Sequence, residues 1–157
     1  MRGGLPFALC LLVLLFSIGF VAAERETPLI DAVKSSDRMA VRLLLQDRVD
    51  VNSAQGDGST ALHWAVYKSD AETTALLLHA GADLNIPNNY GVTALGLASK
   101  NGDAPIIQQL IRAGANPNEP VHAVNASETP LMLAARSGRV DAGKHLLNVG
   151  ASINANE

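Results

Sequence analysis

The chain has 157 residues, 48% of them hydrophobic and only 4% aromatic. That is enough for one domain with its own core, and the low aromatic content makes the core aliphatic and alanine-rich, which suits small stacked helices and disfavours a large sandwich. A formal charge of -3 with no visible basic patch argues against nucleic-acid binding.

Residues 5–23, LPFALCLLVLLFSIGFVAA, carry no charge, and they lie between Arg2 and the sequence Glu24-Arg25-Glu26. A basic start, an apolar run and small residues at its end describe a secretory signal peptide over 1–23, with Val21 and Ala23 preceding a cut at Glu24. Removing it takes Arg2 away and leaves 11 basic against 15 acidic residues. The alternative is an uncleaved membrane anchor, because the run approaches the roughly 20 residues a bilayer needs. In both cases the remaining chain, 24–157, faces the outside. Cys10 is the one cysteine and lies in this run. Leu9 before it argues against lipidation, and the mature chain would have no disulfide to form.

Beyond Glu24 the sequence repeats itself. Thr27-Pro28-Leu29, Thr60-Ala61-Leu62, Thr93-Ala94-Leu95 and Thr129-Pro130-Leu131 open four units, at about 27–59, 60–92, 93–128 and 129–157. Five residues after each threonine stands Ala32, Ala65, Ala98 or Ala134, and each unit closes on Asn52, Asn85, Asn118 or Asn154. Threonine caps a helix start and proline is tolerated at the first helical position. Leucine and alanine at those spacings share one helix face, and alanine allows close approach. Gly102 and Gly138 supply a tight turn to a second helix, with Ser36 and Ser69 standing in for glycine earlier. The second helices bury pairs such as Leu44-Leu45 and Leu77-Leu78. Gly81, Gly114 and Gly150 then suit a left-handed helix end, and Pro87-Asn88-Asn89-Tyr90-Gly91 reads as a polar hairpin turn.

These units resemble ankyrin repeats, whose pattern begins T-P-L-H-x-A and runs about 33 residues. Thr60-Ala61-Leu62-His63-Trp64-Ala65 carries the resemblance best, and it extends over residues 27–154. The implied fold is all-α, a solenoid of four helix-turn-helix units joined by hairpin loops. Some positions depart from the pattern. Ile30, Gly96 and Met132 replace the motif histidine. Arg48 replaces a helix-ending glycine, at about 1 kcal/mol if its φ is positive. Asp31 stands where the other units have Trp64, Leu97 and Leu133, as suits a terminal repeat with one polar face. Pro105 is tolerated early in a helix, and Gly143 weakens the last one.

The third connection, 118–128, is three residues longer and lacks a turn glycine. It reads either as loop drift or as an extension of a binding face. Asn125-Ala126-Ser127 is a glycosylation sequon that would matter only in a eukaryotic secretory route. The sequence leaves open whether the fourth unit is a cap or the array continues.

No enzyme signature holds. His63 belongs to the repeat motif and is expected to serve structure. His79 and His145 fall on outer helix positions, and His122 in the long loop. No zinc-ligand spacing appears, and no cofactor or metal is expected. Asp57-Gly58-Ser59 reads as a hairpin turn, because no strand leads into a phosphate-binding helix. Asp37, Asp70 and Asp103 recur at one repeat position and are expected to form a solvated acidic edge. The resemblance implies a protein-interaction module whose concave face and hairpin tips hold a partner protein; the rival reading is an enzyme or small-ligand protein using the concave groove. Matched by position, the contact residues are Asp57 and Ser59 in the first turn; Asn89, Tyr90 and Val92 in the second; and Tyr67, Lys68, Lys100, Asn101 and Arg136 at first-helix ends. Tyr67 and Tyr90 lead, since aromatics dominate binding hot spots, while Trp64 is expected to pack between helices. A simple signal sequence on such repeats resembles bacterial members of the family, and implies a periplasmic or secreted location.

Overall fold

The computed structural model describes residues 27–123 and 126–154, with backbone alone for 122–123 and 126–127. The stretch read as an export segment lies outside the described residues. Among them, no helix is long and apolar enough to cross a membrane.

Each unit is a helix pair: α1 (Pro28–Lys34) with α2 (Arg38–Gln46), α3 (Ala61–Tyr67) with α4 (Ala71–His79), α5 (Ala94–Asn101) with α6 (Ala104–Arg112), and α7 (Pro130–Arg136) with α8 (Val140–Asn148). The first helices α1, α3, α5 and α7 pack in one row, and the second helices α2, α4, α6 and α8 in another. The stack is linear, unit against neighbouring unit, as the repeat register requires.

Local chemistry sets the ends. Thr93 and Thr129 hydroxyls accept from the N–H of Gly96 and Met132, each at 3.3 Å. The recurring aspartates are N-caps: Asp37 accepts from the Ala40 N–H at 2.9 Å and Asp70 from the Thr73 N–H at 3.1 Å. Asp103 accepts instead from the Ser69 hydroxyl of the preceding unit, at 2.6 Å. What read as a solvated acidic edge is therefore a set of helix caps and cross-unit struts. Burial alone would push the Asp70 carboxyl up. The Thr73 N–H, the Arg38 guanidinium and the Thr73 hydroxyl outweigh it and hold the group below its ordinary value.

The core is aliphatic. Leu62, Leu77, Ile106, Ile107, Leu110 and Leu146 are each at most 1% exposed. Sealing a side chain of this size away from water contributes about 1.5–3 kcal/mol. Ala65, Ala98 and Ala134 are fully buried, and their small size lets adjacent first helices approach. Unit one differs from the expected pattern: Val41 is sealed, whereas Leu44 and Leu45 are only partly covered.

Three non-glycine residues adopt left-handed backbone: Ser36, Arg48 and Ser69, with φ of 58°, 55° and 56°. Arg48 sits where later units place Gly81, Gly114 and Gly150, whose φ values are also positive. Replacing Arg48 by glycine is expected to raise stability by about 1 kcal/mol. A denaturant midpoint unchanged or lowered in the Arg48→Gly variant would contradict this.

The chain is not purely helical. The long third connection forms an antiparallel hairpin, β1 (Val121–Ala123) with β2 (Ala126–Glu128), in register Val121–Glu128 and Ala123–Ala126. Val121 is 2% exposed. A Cβ added at Gly96 would lie 2.8 Å from Val121 Cγ2. The residue that replaces the motif histidine thus leaves a notch, and the longer loop fills it.

Candidate functional site

The hairpin tips and the first helices meet along one face of the stack. In the first tip, Asp57 carboxylate oxygens accept from the Ser59 N–H at 2.9 Å and the Ser59 hydroxyl at 3.0 Å. In the second, Asn88 Oδ1 accepts from the N–H of Tyr90 and of Val92, both at 3.0 Å. The tips are stacked: the Asn89 N–H donates to the Asp57 carbonyl at 2.9 Å, and the Asn89 amide to the Gly56 carbonyl at 2.9 Å.

His63 ties the second tip to α3. Its Nε2 lies 3.0 Å from the Val92 carbonyl, which can only accept, so Nε2 carries the proton. Nδ1 then accepts from the Thr60 N–H at 3.2 Å, with the Thr60 hydroxyl at 2.9 Å. Burial pushes the imidazole below its ordinary 6.5, against smaller upward pulls from the Val92 carbonyl and the Asp57 charge. The sign follows directly. Below pH 6.5 the unfolded chain takes up a proton at this site that the folded one refuses, so unfolding gains. The contribution is complete above 6.5 and declines as pH falls from 6.5 toward the depressed folded value. Denaturant midpoints are expected to drop between about pH 7 and pH 5, and His63→Gln to flatten that part of the profile. An equal slope in the variant would exclude His63 as the source.

Beside His63 lies a recess of about 190 Å³ lined by Asp57, Trp64, Tyr67, Asn88 and Leu97. The Trp64 and Tyr67 rings meet edge to face, with centroids 5.7 Å apart. The Trp64 indole N–H donates to Gln55 Oε1 at 3.1 Å, and the Lys34 ammonium stands 4.3 Å from the centre of its ring. Such cation–ring contacts contribute about 0.5–1 kcal/mol at exposed sites.

The residues anticipated at this face divide in two. Tyr67 and Tyr90 are 63% and 58% exposed. Lys100 is exposed, and so is Arg136, which pairs with Glu128 at 2.8 Å. Others are engaged within the fold. Ser59 is only 7% exposed because its hydroxyl closes the turn on Asp57, so it offers little contact surface. Asp57 and Val92 are half-buried. Asn89 staples the tips. The Asn101 amide donates to the Val66 carbonyl at 3.2 Å, and the Lys68 ammonium donates to the Ser36 hydroxyl at 2.6 Å and to the Lys34 carbonyl. Trp64 packs as expected and also lines the recess, a role that its leucine counterparts Leu97 and Leu133 concealed. Lys34 was missed because its role depends on a ring in the next unit.

A wider recess of about 550 Å³ lies between α4 and α6, bordered by His79, Gln109 and Arg112, with no tryptophan, tyrosine or phenylalanine in its lining. Among the described residues, no group of three or more histidine, cysteine, aspartate or glutamate side chains is placed to hold a metal ion.

A family model described as ankyrin repeats (3 copies) matches residues 3–88 and again residues 71–157. No curated protein matches the chain.

Proposed function

The chain belongs to the ankyrin-repeat family, and from that premise we propose that it is an exported module holding a partner protein against the hairpin tips and first helices of units two and three. Ankyrin repeats are generally protein–protein interaction modules, and the fold is typically a non-enzymatic binding scaffold. The observation that supports this placement is exposed Tyr67 lining the Trp64 recess, with Tyr90 exposed on the tip whose Asn88 also lines it. Exposed aromatics beside a partly apolar hollow are what binding hot spots are built from.

Export rests on residues 5–23. One family match begins at residue 3, ahead of this run, and so spans it. A surface helix of a stack needs a polar face, and nineteen consecutive residues without a charge provide little of one. We therefore keep the run as an export segment, cleaved before Glu24 and leaving a periplasmic or secreted domain. Retention of the segment would give a membrane-tethered scaffold instead, and the N-terminal mass of the exported protein distinguishes the two.

The double variant Tyr67→Ala with Tyr90→Ala is expected to lose capture of a partner from the exported fraction while its helical circular dichroism stays unchanged. Retained capture would remove these residues from the site.

A further inference from the structure

The first helices end in a row of cations. The seventh residue after each capping threonine is Lys34, Tyr67, Lys100 or Arg136, and Lys68 follows Tyr67 directly. All are exposed. A cation at a helix C-terminus is favoured by the helix dipole, but these groups reach outward along the stack. Lys34 lies over the Trp64 ring of unit two, Lys68 donates back to unit one, and Arg136 grips the Glu128 carboxylate of the hairpin. Among the described residues Lys100 makes no ion pair. The row runs against the net charge of -3.

Of the carboxylates near the row, only Glu128 is ion-paired to it among the described residues. Asp31 is exposed on the same face but at the unit-one end. Asp57 and Asp103 keep their charges, since the serines bonded to them are neutral donors, but among the described residues neither carboxylate ion-pairs with a cation of the row. Glu128 occupies only part of a guanidinium that has five donors. The open cationic stretch therefore spans units two to four, beside the Trp64 recess.

We infer that this edge binds an extended acidic segment of a partner protein, its carboxylates on Lys68, Lys100 and Arg136 and one apolar side chain in the recess of Trp64, Tyr67 and Leu97. The inference rests on the protein-binding reading above and adds the partner's chemistry. Packed helices stand about 8–10 Å apart, and a chain in the polyproline II conformation has three residues per turn and advances about 3.1 Å per residue. One carboxylate at every third residue keeps step with the units.

The test uses labelled peptides of about nine residues, with glutamate at every third position, one leucine between, and serine elsewhere. Glutamine and lysine replace the glutamates in two controls. Fluorescence anisotropy is expected to show the glutamate peptide binding on the order of tenfold more tightly than the glutamine one, and weakening as salt is raised. Lys100→Glu, checked for native helicity, is expected to weaken it on the order of tenfold, and Lys100→Gln by less. Absence of binding, equal binding of the glutamate and glutamine peptides, or indifference to Lys100→Glu would each overturn the inference. Capture of the natural partner separates the two levels. Loss with the tyrosine pair but not with Lys100→Glu removes the charge inference alone; retention in every variant removes the binding face as well.

Discussion

Replacing Leu77 by alanine is expected to destabilise the stack by about 2–5 kcal/mol. Leu77 is fully buried in α4, within the continuous aliphatic core. Truncation removes its transfer energy and leaves a cavity between elements that cannot close up independently. Against a typical total of about 5–15 kcal/mol, such a loss would shift the urea midpoint far to lower concentration. Leu43, in the same kind of helix but 53% exposed, is the control, with an expected change within about 0.5 kcal/mol. Similar small losses at both positions, followed by circular dichroism, would mean that the second helices do not share a common interior. Unfolding of stacked repeats is coupled through nearest neighbours, so a damaged central unit is also expected to broaden the transition.

The second large effect is expected at Gly58. Its φ of 76° is left-handed, and an added Cβ would lie 2.7 Å from Asn89 Oδ1, 2.9 Å from Asn89 N and 3.2 Å from Asn88 Cα. Two of those atoms are backbone of the neighbouring tip and cannot rotate away. Combining left-handed strain of about 1–2 kcal/mol with overpacking of about 1–3 kcal/mol, Gly58→Ala is expected to cost roughly 2–5 kcal/mol. It should also loosen the Asn89–Asp57 staple that positions Tyr90, so partner capture should weaken along with the denaturation midpoint. A variant with unchanged stability would show that the two tips are not held against each other. Gly96→Ala makes a useful contrast. There the obstacle is the Val121 side chain, carried on a short hairpin that can shift.

The repeat was legible because each recurring residue answers a separate physical demand. Threonine caps, alanine yields space, and the left-handed positions follow the second helices. Register alone put Ser36 and Ser69 at glycine positions of the turn and Arg48 at a helix-ending glycine position, and all three prove to have positive φ. The β-hairpin was not legible. Val121 finds its place only through Gly96, twenty-five positions earlier, and neither residue announces the other locally. The missing histidine at Gly96 and the longer loop were both visible, but joining them needed coordinates. At the candidate site, positional matching found the exposed tyrosines and cations. It could not separate surface residues from those spent on cross-unit bonds, such as Asn89 and Asn101, because both kinds are polar and recur at loop and helix ends. Trp64 was read for packing alone, since leucine occupies its position in the next two units.

The placement of that indole has an optical consequence. Trp64 is the only tryptophan in the chain; its ring neighbours Lys34, Gln55 and Tyr67 belong to units one and two, and Leu97 of unit three shares its recess. Intrinsic emission therefore watches the first three units, while α7 and α8 can fray without altering the spectrum.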